Sequence, residues 1–149
     1  MNKFSFIALL FLFVMWGAPA AYANEKIMCK ILTIEASNSN IGIDEKLGEY
    51  TKLFKMEPFS AYNSFKLINT EKVELLKGVE TELKLGDNLN GTLKYSGLQL
   101  NHLVLSLNLL RADKPPVVIE GKALPGTPFL AAGLKSGNGR FVIAVKCQN

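Results

Sequence analysis

Apolar and polar residues alternate with a period of two along much of the chain, the pattern of a strand with one buried face. Residues 79–85 show it most clearly, with Glu80, Glu82 and Lys84 at the even positions and apolar or neutral residues at the odd ones. Turn signals separate such stretches, above all the Asn-Gly pair within residues 86–91 and the sequence SGNG at residues 136–139. The alternation therefore predicts antiparallel strands joined by short turns.

Three segments depart from simple alternation. Residues 27–36 are apolar on both phases, which is typical of a strand covered on two sides. Between Asp44, a candidate N-cap, and Pro58, apolar residues follow helical spacing, which predicts a short helix over about residues 44–55. The parity of the apolar positions switches near His102, which indicates a bulge or the start of a strand.

These elements together predict a mainly β fold. About seven or eight strands, with turns every 8–12 residues or so, favour an antiparallel β-sandwich or a partly closed barrel with one short helix near the N-terminus. We find no internal repeat, long linker or low-complexity tract. One domain over residues 24–149 is therefore expected.

Residues 1–23 have the composition of an export signal. Lys3 precedes a mostly apolar run of 13 residues, from Phe4 to Trp16, and residues 21–23 (AYA) form an A-x-A cleavage site. We expect cleavage after residue 23 and no transmembrane segment afterwards, because a spanning helix needs about 20 apolar residues. An uncleaved N-terminal anchor is the alternative. A cleaved signal predicts a periplasmic or secreted protein.

Charge changes this picture only slightly. The chain has 17 basic and 13 acidic side chains, a net charge of +4, and loss of Lys3 with the signal leaves +3. Lysines are interspersed with glutamates rather than clustered, and few aromatic residues remain for base stacking. We therefore expect no nucleic-acid partner. The mild positive charge weakly favours anionic envelope polymers or lipid headgroups.

The two cysteines, Cys29 and Cys147, lie near the two ends of the predicted mature chain. In an oxidising compartment they are expected to form one disulfide, which requires their strands to be neighbours. Two buried free thiols are the alternative. Two cysteines and the distant His102 lack the paired spacing of a metal site, so we expect no metal and no cofactor.

Recognised catalytic spacings are missing from the sequence. His102, the single histidine, is predicted on the wetter face of its strand without a neighbouring carboxylate. Glu80 and Glu82 share a strand face, as a glycosidase pair would, but Lys84 on the same face favours a solvated surface. There is no Gly-x-Ser-x-Gly elbow, Walker motif or H-E-x-x-H sequence. We expect a protein that is not an enzyme.

Residues 56–65 are the first candidate binding site. Phe59, Tyr62 and Phe65 lie there among small polar residues, and such aromatic side chains often anchor interfaces. A loop folded over one end of the core is the alternative.

Residues 125–133 are the second candidate binding site. Phe129 and Leu130 lie there between prolines and small residues. If exposed, they form a small apolar contact surface or an edge for strand addition. Ordinary strand packing is the alternative.

Residues 34–76 resemble a group of small exported bacterial proteins of unassigned function. The likeness rests on GID at residues 42–44, KL at 46–47 and PFSAYNSF at 58–65. It implies a similar strand-rich second half and supplies no catalytic residues.

A local likeness concerns residues 126–134 (GTPFLAAGL). They resemble the Gly-x-x-hydrophobic-Gly-Gly-Leu segment of outer-membrane secretins, with Ala132 in place of the first glycine of the pair. This implies a shared local β turn and not a pore.

The sequence thus predicts an exported, non-enzymatic binding or assembly module of the bacterial envelope. Its partner is expected to be an envelope protein or an extracellular ligand. A ligand carrier, or an inhibitor of a secreted hydrolase, that binds a glycan, lipid or enzyme is the alternative.

Overall fold

The computed structural model describes residues 25–149, and the predicted signal over residues 1–23 lies outside them. A helical segment follows the first strand and consists of a 3-10 turn (Glu45–Tyr50), α1 (Thr51–Phe54) and a second 3-10 turn (Phe59–Ala61). The strands are β1 (Lys26–Ser37), β2 (Ser64–Leu76), β3 (Glu80–Gly86), β4 (Leu89–Gln99), β5 (His102–Arg111), β6 (Lys114–Ala123), β7 (Pro128–Ser136) and β8 (Gly139–Gln148). The expected mainly β fold is confirmed.

The eight strands form two antiparallel sheets of four strands each. The first sheet has the order β2-β1-β8-β7 and the second has the order β3-β4-β5-β6. Strand pairing does not continue from one sheet to the other, so the two sheets do not join into a closed barrel. They lie face to face in a sandwich-like arrangement.

Eighteen buried side chains from both sheets form the main core. The second sheet follows the predicted alternation: Leu83 and Leu85 of β3 are buried, whereas Glu82 and Lys84 are exposed on its outer face. Burial of one face only explains why polar residues are tolerated at every second position.

The first sheet is buried on both faces over half of its length. Leu32 and Ile34 of β1 pack against Leu47 and Phe54 of the helical segment, in a second hydrophobic cluster. We call residues 45–61 the helical cover. Two cores, one on each side of β1, explain why this strand is apolar on both phases.

The helical cover corrects the expected helix in two respects. It lies in mid-chain, between β1 and β2, rather than near the N-terminus, and its first six residues are 3-10 rather than α-helical. Asp44 is the N-cap as expected, because the Lys46 N–H donates to its carboxylate at 3.0 Å. Gly48 lies in the middle of the 3-10 turn, where it disfavours a regular α-helix. Packing of the apolar side stabilises so short a segment.

The first hairpin turn lies within the predicted residues 86–91, at residues 87–88, but not at the Asn-Gly pair. β4 already begins at Leu89, so Asn90 and Gly91 lie inside a strand. A Cβ on Gly91 would lie 2.6 Å from the backbone oxygen of Asn108 on β5. Close approach of two strands therefore requires this glycine. The second turn is confirmed, since only residues 137–138 separate β7 from β8.

Cys29 and Cys147 form the expected disulfide. They lie directly opposite each other in the pairing of β1 with β8, and both are 2% exposed. The bond joins residues separated by 118 positions in the sequence. Closure of so long a loop stabilises a fold by about 4–5 kcal/mol in the chain-entropy model.

Among residues 25–149, no helix is long and apolar enough to cross a membrane.

Candidate binding groove

The aromatic residues of the first candidate site lie against the core. Phe65 is 2% exposed and stacks on Phe54 with ring centroids 4.0 Å apart. Phe59 is 9% exposed, and Tyr62 is partly buried against the same cluster. These three side chains therefore help the helical cover to pack on the first sheet, as a loop folded over the core would.

The two residues of the second candidate site lie on opposite faces of β7. Phe129 packs against the main core, and its ring lies where a Cβ on Gly121 of β6 would be. Leu130 packs against the second cluster, under the helical cover. The structure therefore does not bring the five predicted binding residues into one exposed surface.

His102 lies on β5, whereas the pair Glu80 and Glu82 lies on β3. His102 begins β5, which accounts for the switch of parity, and its Nδ1 donates to the Leu100 carbonyl oxygen at 2.9 Å. Glu80 and Glu82 are exposed on β3, where Glu80 faces Lys94 of β4. Within residues 25–149, no three His, Cys, Asp or Glu side chains are grouped so as to hold a metal ion.

A groove of about 430 Å³ lies on the outer face of the first sheet, where the helical cover ends. Three strands form its floor, and Glu49 of the helical cover forms one wall. We call it the lysine groove. Its lining residues are Met28, Cys29, Lys30, Glu49, Lys72, Lys146 and Gln148.

Strand register places three lysines side by side in this groove. Lys30 of β1 faces Lys72 of β2 on one side and Lys146 of β8 on the other. Neighbouring strands lie about 4.8 Å apart, so the row spans about 10 Å between its outer Cα atoms. We call these three residues the lysine row. Sequence reasoning missed it because each lysine stands alone in its own strand and only the register aligns them.

Glu49 is the one carboxylate that lines the groove. It contacts Lys146 at 3.0 Å and Lys30 at 3.8 Å. The hydrogen bond from Lys146 holds the pKa of Glu49 below its usual range, so this carboxylate is ionised at neutral pH. Lys72 makes no ion pair with any carboxylate of residues 25–149.

Tyr50 lies beneath this wall of the groove. Its side chain is fully buried, and its hydroxyl has no hydrogen-bond partner of normal geometry within residues 25–149. Burial, followed by the negative charge of Glu49, raises the pKa of Tyr50 to about 12. The hydroxyl therefore stays protonated at neutral pH.

The disulfide holds the floor of the groove in register. Cys29 and Cys147 are the residues next to Lys30 and Lys146, and their side chains point into the main core on the opposite face. Two members of the lysine row thus stand on strands that are covalently joined. Strand pairing and the disulfide therefore set the backbone spacing of these two residues.

A larger concave region of about 710 Å³ lies at the opposite end of the first sheet. Its rim carries Ile41, which is 85% exposed, and it mixes Glu35 and Asp44 with a single lysine, Lys66. Charges of both signs therefore line this region, and neither sign is concentrated there. The lysine groove is therefore the more specific candidate.

Comparison of the chain with protein-family models, with curated proteins and with solved structures gave no match.

Proposed function

We propose that the chain is an exported β-sandwich that acts as a binding module of the bacterial envelope, without catalysis, and that the lysine groove is its binding surface. The observation that carries this proposal is the uncovered half of the first sheet, which is concave, charged and built on strands joined by a disulfide. Binding sites are usually concave and largely formed before the ligand arrives.

Export is supported by two independent features. Residues 1–23 have the sequence of a cleavable signal, and a disulfide is stable in the oxidising compartments outside the cytoplasm. Together they favour the periplasm or the extracellular medium as the place of action.

A ligand carrier is less well supported than a binding module. A carrier that encloses its ligand needs interior space, and here buried side chains fill the region between the sheets. The lysine groove, by contrast, is open at the surface. An inhibitor of a secreted hydrolase would use a surface of the same kind, and identification of the partner separates the two.

Site-specific photo-crosslinking in the native envelope tests the proposal. A photoreactive amino acid replaces Met28, which is 47% exposed in the groove, or Val118, which is 59% exposed on β6. Both positions are apolar and exposed, and they lie on different sheets. We expect a discrete crosslinked product from position 28 only, which mass spectrometry then identifies.

Equal products from both positions, or none from position 28, would remove the groove as the surface that contacts an envelope partner. N-terminal sequencing of the same fractions tests export, with Asn24 expected as the first residue. Recovery of reduced, uncleaved protein in the cytoplasm would contradict export.

A further inference from the structure

The lysine row departs from the usual chemistry of cross-strand pairs. Like charges directly opposite each other on a sheet destabilise it, and here two such pairs are consecutive, Lys72 with Lys30 and Lys30 with Lys146. Natural sequences tend to break such local rules at functional sites. The row therefore calls for an explanation beyond folding.

Positive charge exceeds negative charge in the groove. Three lysines face it, and Glu49 supplies one negative charge. The next carboxylate along β2, Glu74, is engaged by Lys26 at 3.2 Å. With all groups ionised, the groove lining carries an excess of two positive charges.

The remaining lining residues complete an anion site rather than a site for bases or apolar groups. Gln148 adds an amide donor next to Lys146, and Met28 is the one large apolar side chain. No aromatic side chain lines the groove, so a planar ring finds no stacking partner.

From this juxtaposition we infer that the lysine groove binds a phosphate group with two negative charges; the inference rests on the proposed role of the groove as the binding surface. A dianion neutralises the excess charge of the groove, whereas a single carboxylate leaves half of it. Lysine ammonium groups are compact point charges that bind phosphate well.

Titration with inorganic pyrophosphate, followed by NMR of the exported protein, tests this inference. Saturable shifts are expected at the amides of Met28, Lys30, Lys72 and Lys146. Lys72→Gln should weaken binding about fivefold, the effect of losing one partly exposed charge contact. Lys72 is the variant of choice because it makes no ion pair within residues 25–149. Lys122→Gln, on exposed β6, makes the same charge change away from the groove and should leave the affinity unchanged.

Glu49→Gln gives a prediction of the opposite sign. Removal of the one negative charge that lines the groove should tighten pyrophosphate binding about threefold, because the excess positive charge rises. Equal losses in Lys72→Gln and Lys122→Gln would show only general attraction to a basic protein. That result, or the lack of saturable shifts, would overturn the inference.

Two further arms separate the sources of phosphate. Vesicles of phosphatidic acid, whose phosphate is a monoester that can carry two negative charges, test a lipid headgroup against phosphatidylcholine controls, and soluble polyphosphate tests a free or polymeric phosphate. Pyrophosphate binding without any crosslink from position 28 would sustain the phosphate site and refute the binding module. A crosslink from position 28 without pyrophosphate binding would sustain the binding module and refute the phosphate site.

Discussion

The two halves of the outer face of the first sheet differ, because one half is covered and the other is open to solvent. In one half, Leu32 and Ile34 of β1 lie under the helical cover and are at most 1% exposed. In the other half, beginning two residues earlier on the same strand, Lys30 lies in an open groove. Glu49 stands at the boundary, since it belongs to the helical cover and pairs with the lysine row.

This comparison shows what decides how far the cover extends. Apolar side chains gain about 25 cal/mol for each Å² withdrawn from water, so the apolar half favours coverage. Lysine ammonium groups lose hydration when buried, so the lysine half favours an open surface. One sheet face can therefore supply both a core and an open, charged groove, with a single change of residue type along β1.

Loss of the disulfide should have the largest effect, because it acts on both halves at once. Replacement of Cys29 and Cys147 together by Ala is expected to lower the free energy of unfolding by about 4–5 kcal/mol. Urea unfolding followed by circular dichroism measures this. An unchanged midpoint would show that strand pairing alone holds β1 to β8.

Phe65→Ala should affect the covered half specifically. Removal of a fully buried aromatic ring that stacks on Phe54 is expected to cost about 3–4 kcal/mol. Met56→Ala, at a residue of the helical cover that is 60% exposed, is the control and should change stability by less than about 0.5 kcal/mol. Equal losses in the two variants would mean that the cover is not anchored through Phe65.

Low pH should weaken the ion pairs that Glu49 makes at the boundary between the halves. The pKa of Glu49 is lower in the folded protein than its ordinary value of 4.5, so its ion pairs stabilise the fold above that pH. This contribution is lost as the pH falls through the folded pKa. The stability difference between the native protein and Glu49→Gln should therefore be constant from pH 7 to about 5 and shrink below 4.5. A stability difference that grows below pH 4.5 would contradict a lowered pKa of Glu49 in the folded protein.

Lys72→Gln should have the smallest effect on stability and is the sharpest test of the open half. Relief of one like-charge pair is expected to leave the free energy of unfolding unchanged or to raise it by up to about 0.5 kcal/mol. Thermal unfolding at low salt measures this. A loss of more than about 1 kcal/mol would show that the lysine row serves the fold instead.

Local patterns predicted most of the secondary structure. Alternation in β3, the turn at residues 137–138 and the cap at Asp44 all depend on near neighbours, and the structure has them. The Asn90-Gly91 pair wrongly predicted a turn. Gly91 is needed instead because β5 approaches closely there, and that strand is distant in sequence. The helical spacing predicted the residue range of the helical segment, which the structure has at Glu45–Phe54, whereas its 3-10 character was not predicted.

The candidate site was much less predictable than the fold. Phe59 and Phe65 are aromatic residues of the kind that often anchor interfaces, but the same residues can pack a loop onto a sheet, as they do here. The lysine row could not be predicted from the sequence, because each of its three lysines is an ordinary polar residue of its own strand.

By itself, the sequence determined that this protein is rich in strands, that β1 is covered on both sides and that Cys29 and Cys147 form a disulfide. These features follow from residue periodicity and from the tendency of two cysteines to pair in an oxidising compartment. Only the tertiary structure decided that the aromatic loop packs inward and that three distant lysines share one groove. The reason is register: the pairing of β2, β1 and β8 aligns residues that lie up to 116 positions apart, between Lys30 and Lys146, and no local pattern encodes that alignment.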